Sequence, residues 1–213
     1  MSLFTAELID WLESHASATR LIVVDAARLP LLVYEHPAEG YGPRTCANAD
    51  AEATWAYASD FSTEQQRLAD QIAGSRLLRT PVGTPCAKAA DDLTAHLRRL
   101  DARTLNVTGN SLTTLARHTL FSAAELQPKA DAYLLRLIGA VHARQPLAGV
   151  RAGGQSGVEE AALRAAVTLG IPAFALLPRH FLYRDAAGVD RTATREQTLR
   201  RLMPHRRPWL PDI

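Results

Sequence analysis

Three short stretches hold the residues able to do chemistry: "RAGGQSGVEE" (151–160), "NVTGNS" (106–111) and "SDFSTE" (59–64). In the first, Gly153, Gly154 and Gly157 remove Cβ atoms where the chain leaves an apolar strand, which permits positive φ and close approach of the backbone to a ligand. A helix is expected from Val158. Its first N–H groups lack intrahelical partners and sit at its positive end. Strand, glycine turn and helix N-terminus together make an anion site, most often for phosphate, lined by Gly153, Gly154, Gln155, Ser156 and Gly157. The loop lacks the Gly-Lys-Ser/Thr ending of a P-loop and does not spell GxGxxG. Triphosphate hydrolysis and a standard dinucleotide site are therefore not indicated.

A purely structural reading of the same turn stays open. Ser156 and Glu159 have the S-x-x-E spacing of a capping box, in which Ser156 accepts from the N–H of Glu159 and the Glu159 carboxylate returns to the N–H of Ser156. Glu160 is not needed for that cap. It either complements the helix dipole or sets a carboxylate beside the ligand. Thr108, Gly109 and Asn110 either line a cleft at a strand end or form a helix-capping turn. Asp60, Thr63 and Glu64 offer ligand contacts, with Asp60 or Glu64 placed to hold ribose hydroxyls. Ser62 with Gln65, or Thr63 with Gln66, would instead make an ordinary cap. The seven histidines form no H-x-x-x-H or H-E-x-x-H pair, so no metal site is expected. No serine sits in G-x-S-x-G.

The surrounding pattern says what positions these stretches. Residues 4–14 have helical spacing, with Phe4, Leu8, Trp11 and Leu12 on one face. "RLIVVDA" (20–26) and "LPLLVYE" (29–35) are strand candidates, and the Pro- and Gly-rich residues 36–50 read as a loop. Strands then alternate with helices: strand 53–61, helix 62–73, strand 76–82, helix 87–100 and strand 104–109. Helical stretches near 111–120 and 122–143, strand 147–154, helix 158–169, strand 172–178 and a last helix at 192–202 follow. Such alternation means βαβ units. The expected fold is α/β and Rossmann-like, a mostly parallel sheet flanked by helices on both faces, as one domain over 1–213. Residues 1–46 are an N-terminal extension and 203–213 an extended tail. A parallel sheet brings its strand ends to one edge, where ligands bind. The three chemical stretches should meet there.

Composition bounds the partners. The 213 residues carry a net charge of +2, too small to argue for nucleic acid. Hydrophobic residues at 47% and charged residues at 22% are ordinary for a soluble globular chain. Cys46 and Cys86 give neither a disulfide framework nor a zinc spacing. Glu7, Asp10 and Glu13 interrupt the run that a signal peptide would need. No stretch reaches the roughly 18–20 apolar residues of a membrane span. The expectation is a cytoplasmic protein with no membrane partner.

"AGGQSGVEEAALRAAVTLGIP" resembles the signature unit of the molybdenum-carrier family in the Rossmann-like SLOG superfamily. "EATWAYASDFSTEQQRLADQI" and "TLNVTGNS" resemble two further units of that family. Here they precede the glycine unit, which implies a circularly permuted relative over residues 47–192. The same turn is more distantly similar to the lonely-guy phosphoribohydrolases, where a glutamate serves in cleaving a nucleotide N-glycosidic bond. Gly153, Gly154 and Glu160 fall in register with their motif, whereas Ser156 and Gly157 stand where it has Gly-Thr. Arg179 and His180 likewise depart from the Pro-Lys-Gly turn of the carrier family. The resemblance implies a binder of a nucleotide or related phosphorylated ligand, acting as sensor or carrier. The alternative it implies is an N-glycosidic hydrolase with Glu160 or Glu159 at the ribosyl centre. It also implies a homodimer paired through helices flanking the site, for which "AYLLRLIGAV" (132–141) is apolar enough to be core or interface.

Overall fold

The computed structural model describes residues 31–59, 61 and 74–203. The expected helices at 4–14 and 62–73, the strand at 20–26, the tail from 204 onward, and Asp60, Thr63 and Glu64 lie outside the described residues. Six parallel strands form one sheet: β1 (Leu31–Glu35), β2 (Ala53–Ala58), β3 (Leu77–Pro81), β4 (Thr104–Gly109), β5 (Gly149–Ala152) and β6 (Ala173–Leu177). Their order is β1-β6-β5-β4-β2-β3. A short antiparallel pair, β7 (Tyr183–Arg184) with β8 (Asp190–Arg191), lies outside it. The helices are α1 (Tyr41–Ala49), α2 (Cys86–Leu100), α3 (Leu112–Arg117), α4 (Ala123–Arg144), α5 (Val158–Thr168) and α6 (Arg195–Leu202).

The order β3-β2-β4-β5-β6 is a doubly wound arrangement. The chain moves one way from β2 to β3 and the other way from β4 onward, so the strand order reverses between β2 and β4. Outside the carboxyl ends of strands at such a reversal, the connections diverge to opposite faces and leave a crevice. β1 adds a sixth strand beyond β6. Part of the N-terminal extension is thus built into the sheet.

β2 and β6 are buried along their whole length, as strands covered on both faces must be. Tyr133 of α4 stacks on Tyr57 of β2, with ring centroids 4.9 Å apart, so α4 covers the Trp55/Tyr57 face. α1 covers the opposite face, where Arg151 Nη1 donates to Ala47 O. Leu134, Leu137, Ile138 and Val141 of α4 are fully buried in the chain's own core. Each contributes about 1.5–3 kcal/mol through burial. The apolar face within 132–141 is therefore core, and it is spent before any partner chain arrives.

The loop expected at 36–50 is a correction: residues 41–49 form α1. Pro43 falls at the third helical position, where its missing N–H has no intrahelical acceptor to lose. The helix is held by burial of Arg44, Asn48 and Ala49 rather than by a side-chain cap. No helix among the described residues is long and apolar enough to cross a membrane.

Candidate functional site

The three strand ends converge. Asn110, just past β4, accepts at Oδ1 from the N–H (2.6 Å) and hydroxyl (2.8 Å) of Ser59, just past β2. Its side chain spans the point where the strand order reverses. On its other side the backbone of Asn110 and Ser111 meets the glycine turn: Val158 N–H donates to Asn110 O at 3.4 Å, and Leu112 N–H donates to Ser156 O at 3.3 Å. Ser111, not Asn110, caps α3 by accepting from Thr114 N–H. Of the third expected stretch, Asp60, Thr63 and Glu64 lie outside the described residues, and Ser59 ties its described part to the site.

At the glycine turn the expected capping box does not form. The N-cap of α5 is Gly157, with no side-chain cap bond. Ser156 instead donates its hydroxyl to Arg184 O at 2.8 Å. Glu159 turns inward, and its carboxylate accepts from Arg44 Nη1 (3.2 Å to each oxygen), Thr108 Oγ1 (3.3 Å) and Gln155 N–H (3.2 Å). Arg44 and Glu159 are 3% and 5% exposed, so this is a buried ion pair. A box needs both side chains free to face each other. Here each has a stronger partner across the fold.

The remaining N–H groups at the turn are also largely engaged. Ser156 donates to Arg184 O, Gly157 to Gln127 Oε1 at 2.8 Å, Glu160 to Gln155 O and Ala161 to Gly157 O. The Glu159 carboxylate itself occupies the position of an anion at this helix start.

The glycines are needed for contacts within the chain. A Cβ on Gly153 would lie 1.4 Å from Arg44 Nη1, so the guanidinium sits where a side chain would be. A Cβ on Gly157 would lie 2.7 Å from Asn110 O, and one on Gly109 would lie 2.3 Å from Tyr57 O. Gly154 has φ +71° with ordinary space around it, so only its backbone angle calls for glycine.

Glu160 faces a different set of groups. It is 4% exposed and ion-paired to both Arg164 and Arg201. Arg201 also donates to Gly154 O at 2.7 Å, and Arg164 pairs with Asp131 at 2.8 Å. This network clamps α6 and α4 to the turn. Its pairing replaces the simple dipole role, and both carboxylate oxygens are held by guanidinium groups.

Arg44 is the principal site residue that the sequence pattern did not single out, and Gln127, Arg184 and Arg201 support the turn from outside it. Tyr41 lies between Arg44 and Arg184, each 5.5 Å from its ring centroid, and donates to Asp190 at 2.8 Å. Burial and the Asp190 carboxylate push the Tyr41 phenol well above its ordinary range, so it acts as a neutral donor. Among the described residues no group of three or more His, Cys, Asp or Glu side chains comes together as a metal site. No protein-family model matches the chain, and no curated protein matches it.

Proposed function

We propose that this protein binds a nucleotide or related phosphorylated ligand at the carboxyl edge of its sheet, as a sensor or carrier. One observation carries the reading. The exits of β2, β4 and β5 meet at the reversal of strand order, where Ser59, Thr108, Asn110, Gln155 and the Arg44–Glu159 pair collect beside a glycine turn. That is where open α/β sheets bind ligands. β4 and β5 lie in one sheet, the condition a circularly permuted relative has to meet.

The hydrolase alternative asks for a carboxylate aimed at a ribosyl centre. Glu160 is held by two arginines, and Glu159 by Arg44, Thr108 and the Gln155 N–H. Both carboxylates already have the partners that fix them in the fold, which favours the binder. Incubation with a panel of nucleoside 5′-monophosphates, scored for retention by equilibrium dialysis and for released base, separates the two. Retention without base release is expected. Base release that is lost in a Glu159→Gln or Glu160→Gln protein would establish the hydrolase. Absence of both retention and release across the panel would remove the nucleotide reading.

A further inference from the structure

The structure assigns to Arg44 the anchoring of the ligand's phosphoryl group, through the Nε–Nη2 edge of its guanidinium. This inference rests on the ligand reading above and names the residue that would hold the charge. A guanidinium has five N–H donors in a rigid fork. Among the described residues Arg44 spends only Nη1, on both oxygens of Glu159. Its Nε is buried and has no hydrogen-bond partner among the described residues. A buried donor without an acceptor costs free energy, so such a group calls for an account. Two donors on one planar edge match two oxygens of one phosphoryl group, the bidentate geometry for which arginine is suited.

The rest of the site fixes the guanidinium in place. Gly153 has no Cβ, and the Arg44 guanidinium occupies that position, which sets it against the exit of β5. Glu159 fixes it from one side, and the Tyr41 ring lies 5.5 Å from Cζ. The backbone donors of Gln155, Ser156 and Gly157 in the turn are engaged by Glu159, Arg184 and Gln127. Among the described residues Arg201 also keeps an unpartnered Nε, but its two Nη groups are held by Glu160 and Gly154 O, whereas Arg44 spends Nη1 alone and so keeps a whole donor edge. Arg44 comes from α1, outside the segment 47–192 over which the sequence resembles the carrier family. The pair Arg44–Glu159 is neutral as a whole, so the phosphoryl group brings its own negative charge to the pair.

The test reads the Arg44 Nε–H directly. In ¹³C,¹⁵N-labelled protein its cross-peak is assigned by through-bond correlation along the Arg44 side chain, and its loss in Arg44→Lys is the check. The four common nucleoside 5′-monophosphates, inorganic phosphate and the free nucleosides are then titrated. The monophosphates and phosphate should shift the cross-peak, and the nucleosides should not. Arg44→Lys keeps a cation for Glu159 but loses the edge, and should weaken monophosphate binding by about 10–100-fold. Monophosphate binding that leaves the cross-peak in place overturns the role of Arg44 while keeping the ligand reading, even if the variant does not fold. Failure of every phosphorylated probe to bind the wild type overturns the ligand reading and this inference with it.

Discussion

Gly153→Ala is the substitution whose effect the structure fixes most closely. The added methyl would lie 1.4 Å from Arg44 Nη1, 2.1 Å from Cζ and 2.7 Å from Glu159 Oε2. Neither side chain can keep its place. Arg44 is the longer and must leave, which strands the Glu159 carboxylate at 5% exposure with only Thr108 and the Gln155 N–H. Removing one partner of a buried ion pair costs about 3–5 kcal/mol. For a domain of this size, each kcal/mol lowers Tm by about 2–4 °C, so the melting temperature should fall by about 6–20 °C. Thermal and urea denaturation followed by circular dichroism measure this. Gly154→Ala, one residue on, is the control. Its Cβ meets Leu177 at an ordinary 3.5 Å, and the cost is the left-handed backbone alone, roughly 1–2 kcal/mol. Adding Glu159→Gln to Gly153→Ala removes the stranded charge and should recover part of the loss. A Gly153→Ala protein as stable as wild type, or no more damaged than Gly154→Ala, would refute the placement of Arg44.

Glu160→Gln leaves Arg164 and Arg201 without their shared carboxylate, and should cost about 3–5 kcal/mol in urea denaturation, well beyond a dipole effect. Gly157→Ala combines φ +106° with a Cβ 2.7 Å from a backbone carbonyl that cannot swing away, so it should cost more than about 3 kcal/mol or prevent soluble expression. Burial, with the nearby Arg99 guanidinium, holds the His96 imidazole below its ordinary pKa, against the opposing bond to Arg76 O. A depressed histidine leaves the folded state with fewer protons than the unfolded one. Stability is then unaffected above about pH 6.5 and falls as pH drops below it. His96→Gln should flatten that part of the stability–pH curve in chemical denaturation and leave the curve above pH 7 parallel to wild type.

Much of the fold was legible because alternation of apolar strands and amphipathic helices leaves one family of arrangements open. The meeting of the strand exits near 59, 110 and 155 followed from it. What escaped was set by tertiary contact. Residues 41–49 contain Gly42 and Pro43 and carry no cap, and they are helical because Arg44 and Asn48 find partners inside the fold. The S-x-x-E spacing at Ser122 and Glu125 makes a true capping box on an exposed helix start. The same spacing at Ser156 and Glu159 does not, because Arg184 O takes the hydroxyl and Arg44 takes the carboxylate. Arg44 could not be picked out in a chain whose basic residues are nearly all arginine. Its importance arises only when Gly153, 109 residues away, comes to lie against it.

Amide chemical-shift mapping of the ¹⁵N-labelled protein during titration with a nucleoside 5′-monophosphate tests the central claim most directly. Binding at the carboxyl edge predicts saturable shifts at Ser59, Asn110 and Gln155, with little change at the strand entries such as Glu52, Thr104 and Gly149. Saturable shifts confined to the entries, or no shift anywhere with any monophosphate, would contradict it.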